Sequence, residues 1–509
     1  MNRISLVLRR RARGDNGVAL LVVIGLMAVV GVLMLVMVGT AIREGNATGR
    51  DRQRSSAVMT AEGQVDSIIS KIQSAPLADG LPCGASSVTG VPVGSDQMTI
   101  TNTVTYYTAA GATVDCSALA TTPVAQAKIK STSSSNRIAG QASATRTVET
   151  LLNLKPSYAN AFYDAIFSNA SMTLANNTKI FGQGSSQDAD IYSNGSVTCN
   201  NAVEFHGSIY SQGTVTMSST CVVSVDVQAK LGYYVDRNNP NAGVNGKILV
   251  WKGPIVLNKS NVGQQARANG PVTGDACSTA GKCFPNDTTV AEPPAQVFPV
   301  YEWNPTTEAA WAALGYAVVK LPDATGTYAC GNYSGTGPLK GKVDGVAHWI
   351  YDHQATMADT VIYANCPGQP VMFQGINISL NANLAIFATG GFTFSGNTQI
   401  ASNSATHRLL YLVQPYNSVT THPCTTDGIS LDNQVTVADT IDDLLYSPCN
   451  IRKANNTTHY GQIYAGGSVT IDNKMTMYYK PLPVPGGSAS GGSVDNYTVD
   501  ILYMRETTP

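Results

Sequence analysis

Charge is scarce in this chain. Asp, Glu, Lys and Arg make up 13% of its 509 residues, about half the share of an ordinary soluble domain. The formal net charge is −1. No overall field therefore draws nucleic acid, and no basic stripe lies beyond the arginines near the N-terminus. The short signatures of chemistry are missing too. No CxxC pair supports zinc or thioredoxin-type redox chemistry, and no HExxH sets two histidines over zinc. No GxSxG, GxGxxG or P-loop stands in a strand–turn–helix setting, and no nucleophile–base pair can be read. The sequence thus assigns no catalytic residue, no cofactor and no metal ligand.

The most telling absence is local. Residues 17–42 contain no charge at all, while Arg3, Arg9, Arg10, Arg11 and Arg13 stand just before them. A run of about 20 apolar residues crosses a bilayer as a helix. The basic cluster keeps the N-terminus in the cytoplasm, so a single-pass protein with its bulk outside is expected, with membrane lipid as its first partner. The apolar core, Val18 to Val38, is longer than a secretory signal usually carries and no small-x-small cleavage site ends it cleanly, although a long signal peptide is the alternative.

What is plentiful agrees with an outward location. There are 47 glycines and 23 tyrosines, and Ser, Thr and Asn recur, a sheet- and turn-rich composition. The ten cysteines all follow the apolar run, which predicts disulfides in an oxidising compartment. Sequence alone leaves connectivity open. The economical scheme joins nearest neighbours: Cys83 with Cys116, Cys199 with Cys221, Cys277 with Cys283, Cys330 with Cys366, and Cys424 with Cys449.

Beyond the span the helical pattern continues. Val58, Ala61, Val65, Ile68 and Ile72 form one apolar stripe, Arg50 to Arg54 supply polar faces, and Pro76 supplies a stop. Gly17-Val18-Ala19-Leu20-Leu21-Val22, the apolar helix, Asp51-Arg52-Gln53-Arg54 and Ala61-Glu62-Gly63 together resemble the N-terminal region of PilX-type minor pilins, type IV pilus assembly proteins. The resemblance covers roughly the first 70 residues. It implies cleavage between Gly17 and Val18, and other pilin subunits as partners through Val18–Val38 and the 58–72 stripe. Two departures from the major-pilin pattern stand out. Val18 replaces a phenylalanine and Val22 replaces a glutamate, which favours a minor, tip or permanently anchored role. Alternating Met98, Ile100, Val104 and Tyr106, then Ala127 and Ile129, then Val148, Thr150 and Leu152, predict a small antiparallel sheet over 96–154 that covers the stripe.

The outer part repeats itself. Segments starting at Ile166, Ile191, Ile209, Ile386 and Ile463 share the form Ile-aromatic-small-x-small-small-apolar-Thr, with Asn176, Asn200, Asn397 and Asn473 following. Such short rungs cannot bury their own apolar side chains, so stacking into a right-handed parallel β-solenoid is expected, with a β-sandwich as the alternative. Glycine at the bend would relieve backbone strain. The predicted organisation is a basic leader (1–16), a transmembrane helix (17–42), an amphipathic helix (43–75) and a pilin-like β module (76–154). Solenoid follows at 155–230 and 366–480, interrupted by an inserted subdomain (231–365). In that insert Thr306 or Thr307 caps a helix through Leu314 that ends at Gly315. Residues 481–509 read as a Pro/Gly/Ser-rich loop and a last strand, Tyr497 to Tyr503.

Few residues could carry chemistry. His348, Asp352 and His353 lack zinc-site spacing, and Asp188 and Asp190 read as rung-corner residues. Asp439, Asp442 and Asp443 read as a solvated turn, unless two of them stand far enough apart for glycosidic cleavage. Exposed ladders pairing Tyr192 with Tyr210 and Thr198 with Thr216 offer a face for a glycan or protein ligand, or else only stabilise the sheet. The expectation is a non-enzymatic, membrane-anchored protein for pilus assembly or adhesion. The rivals are a β-helix polysaccharide-degrading enzyme and a self-polymerising scaffold.

Overall fold

The computed structural model describes residues 16–507 apart from 75–79, 94–95, 109–110, 120–123, 136–143, 159–161, 184–185, 237–240, 325, 332–338, 340, 342, 433, 455 and 487–493. The basic leader and Pro76 lie outside the described residues. One helix runs from Asn16 to Ser74, about 88 Å at the usual rise per residue. Its two halves live differently. From Leu20 to Ile42 the large apolar side chains are 43% to 74% exposed. Beyond Arg52 the helix becomes amphipathic, and Gln53, Ala57, Ala61, Val65, Ile68 and Ile72 are buried at steps of three and four.

That stripe packs on an antiparallel sheet ordered Gly84–Val93, Asp96–Tyr107, Gln126–Ser135, Thr145–Tyr158, Val494–Thr507. Val104, Tyr106, Ala127, Ile129, Val148 and Leu152 meet the helix from successive strands. The stripe is therefore covered by its own domain and is not free for another subunit, a correction to the partner surface expected above. The last strand is longer than 497–503 and completes this sheet rather than the solenoid. Glu149 holds it: its carboxylate takes the Lys128 ammonium at 2.9 Å, the Arg505 guanidinium at 2.8 Å and the Tyr503 hydroxyl at 2.9 Å.

Between the fourth and fifth strands of this sheet the chain forms a parallel β-solenoid of about 13 turns with three faces. Most coils contribute one strand to each face, as Ile166–Ser168, Met172–Ala175 and Lys179–Phe181 do in the first. The ladder on one face reads Gln374–Ser395–Leu431–Lys453–Ile471 by strand ends, then Ala175, Asn200, Ser218 and Val235, and closes with the strands Ile255–Val256 and Val272–Thr273. The chain therefore starts in the middle. Met172–Ala175 pairs with Val197–Asn200 on one side and with Val469–Ile471, almost 300 residues later, on the other. It winds to one end at Cys283–Phe284, crosses back, and winds from Ala317–Leu321 to the middle again.

This arrangement corrects the inserted subdomain. Residues 231–236 and 241–284 are solenoid, because Gly232–Val235 and Ile248–Val250 continue the parallel ladders in register. What breaks the pattern is the return strap over 285–304, with the helix Pro305–Ala313 after it. That helix is capped by Asn304, whose Oδ1 accepts from the Thr307 amide at 3.0 Å, rather than by Thr306 or Thr307. A second helix, Gly345–His353, covers the far end.

The core is a ladder of isoleucines. Ile463, Ile166, Ile191 and Ile209 stack as four consecutive rungs, each no more than 2% exposed. Four of the five octads are thus neighbours in space. Their glycines answer to crowding rather than backbone strain. A Cβ on Gly195 would sit 2.6 Å from the Ala170 carbonyl oxygen of the rung below, and one on Gly467 2.9 Å from the Asn450 nitrogen.

Candidate functional surfaces

The aromatic position of the octad points away from the core. In register order the row runs Tyr363, Phe387, Val413, Tyr446, Tyr464, Phe167, Tyr192, Tyr210. Phe167 stacks between Tyr464 at 5.6 Å and Tyr192 at 5.5 Å. The row is not an exposed ligand face. The strap lies along it: the Tyr192 hydroxyl donates to the Pro294 carbonyl at 2.8 Å, Tyr446 donates to Pro299 at 2.9 Å, and Trp303 stacks on Tyr363 at 5.2 Å. From Pro294 to Trp303 the strap passes from the Tyr192 rung to the Tyr363 rung, six steps of about 4.8 Å, which nine extended residues can span at about 3.3 Å each. Residues 481–486 close the remaining flank and are packed, not a loose loop: Tyr411 donates to the Pro483 carbonyl, and Leu482 and Val484 are buried. Sequence could not expose this because an aromatic that faces out of one sheet looks the same whether water or a strap covers it. Thr198 and Thr216 do face outward, half-buried, on the neighbouring face.

Strand alternation separates the three carboxylates of 439–443. Asp443 points inward, buried, and its Oδ2 meets His459 Nδ1 at 2.7 Å inside the solenoid. Asp442 points outward, where Lys480 donates to it and His407 Nδ1 stands 3.5 Å away. Asp439 is exposed at the turn. The single solvated turn is therefore corrected to three environments. Asp442, Asp439, His407 and Lys480 line a cleft of about 500 Å³ with Tyr460 and Tyr478. The Tyr460 and Tyr478 rings stack at 4.8 Å, Tyr478 and Phe181 at 5.3 Å, and His206 lies 4.7 Å beyond Phe181. Burial first, then the Asp439 charge, raises the Tyr460 hydroxyl pKa, so it stays protonated as donor and acceptor.

The other candidates are placed in structural roles. His348 Nε2 meets Asp352 at 3.1 Å one helical turn on, and His353 Nδ1 donates to the Trp349 carbonyl. Asp188 accepts from the Gln183 amide, and Asp190 accepts from the Ser208 amide of the next rung at 2.6 Å. Beside Asp190, the buried Asp164 is pushed up to about 7, chiefly by burial and then by the Asp190 charge. The five disulfides join the cysteines in sequence order: 83–116, 199–221, 277–283, 330–366 and 424–449. Gly17 and Val18 sit in the first turn of the long helix.

A bare apolar helix packs its second half on an antiparallel sheet and is joined to a disulfide-bearing parallel β-solenoid. No protein-family model matches the chain, and no curated protein matches it. Among solved structures, the competence-associated pilin ComZ from Thermus thermophilus aligns with 89% of this chain and 97% of its own, at 10% identity and a TM-score of 0.26.

Proposed function

We propose that this chain is a membrane-anchored, pilin-like envelope protein of the PilX type, acting in type IV pilus assembly or surface adhesion and catalysing no reaction. One observation carries the reading. Seventeen large apolar side chains between Leu20 and Ile42 lie bare on a helix whose other half is the spine of a folded domain. Fully burying such a side chain is worth about 1.5–3 kcal/mol, so leaving seventeen in water costs on the order of tens of kcal/mol. Covering the segment with lipid or other apolar helices recovers that free energy, which favours its insertion. The basic leader supports an inside-to-outside direction, with the solenoid displayed outward. Partners are bilayer lipid and pilin subunits meeting residues 18–42, since the later stripe is taken by the chain's own sheet.

Mass spectrometry of the mature N-terminus from native membranes and from sheared surface appendages tests this. A free Val18 in the sheared fraction is the expected result. A chain recovered from the soluble fraction and cut beyond residue 42 would overturn it.

A further inference from the structure

The cleft beside Asp439 is not used by anchoring, and its chemistry points to a ligand. Its wall carries the half-buried rings of Tyr460 and Tyr478 from successive coils beside Asp442, and the same ring row continues outside the cleft through Phe181 to His206. Stacked rings leave their edges and hydroxyls toward solvent, which suits a hydroxyl-rich ligand that trades hydrogen bonds with them. The strip repeats at the rung spacing of about 4.8 Å, close to the length of one sugar residue in a chain. The charges then choose among sugars. Lys480 is committed to Asp442, and its ammonium also lies 5.7 Å from the Tyr460 ring centroid. Asp439 is exposed and makes no ion pair among the described residues. Asp439 and Asp442 against Lys480 leave the carboxylates one ahead of the ammonium in the cleft, which attracts a cation and repels a uronic acid. Its volume of about 500 Å³ lies within the range of small-ligand sites.

We propose that this cleft binds an amino-sugar chain, with a hexosamine ammonium on Asp439 and the sugar rings along the Tyr460–Tyr478 strip. The proposal goes beyond the anchoring reading and does not depend on it, because binding is read on the purified chain wherever its N-terminus begins.

The test is calorimetric titration of the full chain in detergent with four probes: a glucosamine hexamer, its fully N-acetylated form, an oligogalacturonate and a lysine hexapeptide. The glucosamine hexamer binds tightest, and Asp439→Asn weakens it about fivefold, the effect of losing one partly exposed charge pair. Tyr478→Leu weakens both the glucosamine and the acetylated oligomer, whereas Asp439→Asn leaves the acetylated one unchanged. Equal binding of the lysine peptide would show a cation site without saccharide selectivity and overturn the proposal. So would a galacturonate preference, binding unaffected by Asp439→Asn, or no binding of the glucosamine hexamer.

Discussion

The return strap should depend on the tyrosine hydroxyls beneath it. Tyr446 is fully buried, donates to the Pro299 carbonyl at 2.9 Å and accepts from the Tyr301 amide at 2.9 Å. Tyr446→Phe keeps the ring, and with it the contact to Phe298 at 5.1 Å, but removes the hydroxyl that bonds a buried carbonyl and a buried amide. Each hydrogen bond so lost costs about 1–2 kcal/mol, the lower part of the range for a neutral buried group in a strap that can relax toward water, so the strap should open locally with a loss of roughly 2–4 kcal/mol. At about 1.4 kcal/mol per decade that is roughly thirtyfold to a thousandfold faster hydrogen exchange over Val290–Trp303. Tyr411→Phe is the control, because its hydroxyl holds Pro483 rather than the strap. Local exchange is the proper readout, since a long repeat array need not unfold as one unit. Exchange of the Tyr446→Phe strap within threefold of the parent chain would refute the reasoning.

Three further outcomes follow from the same geometry. Ile72→Ala, in the fully buried stripe, should cost about 2–5 kcal/mol and lower the thermal midpoint of the helix–sheet module, while Met59→Ala on the exposed side should not. Glu149 is lowered from its ordinary range to about 2, first by the Lys128 hydrogen bond and then by Arg505. Its stabilisation is therefore present above the unfolded value near 4.5 and is lost as pH falls toward 2. Exchange over Val494–Thr507 should accelerate across that window in the parent chain, and Glu149→Gln should flatten the dependence. Asp164 has the opposite sign. Raised to about 7, it binds its proton more tightly when folded, so stability falls as pH rises from about 4 to about 7. Asp164→Asn should remove that slope, measured as exchange of the strands around Ile166 and Ile463.

Parts of this architecture were legible because they follow from local periodicity. The uncharged run, the stripe at three- and four-residue steps and the alternation around Val104 and Ile129 each describe one element meeting one environment. The octads were legible for a stronger reason. Ile463, Ile166, Ile191 and Ile209 are alike because they stack on one another, and like residues pack well in a parallel ladder. The break placed at residue 231 was misread because the later rungs, such as Ile255–Val256 and Ala266–Ala268, are short and lack the octad form. Nothing near Asp442 in sequence announced the cleft, which joins residues from 182 to 481 across coils.

The amino-acid order alone settled that an apolar rod precedes a stack of short strands, since hydrophobic spacing is a property of neighbours along the chain. Only the folded molecule decided that the stack begins in its middle, that its aromatic row lies under a strap and that the final strand goes home to the first sheet. Parallel pairing requires matching rungs to be adjacent in space and is indifferent to how much chain separates them.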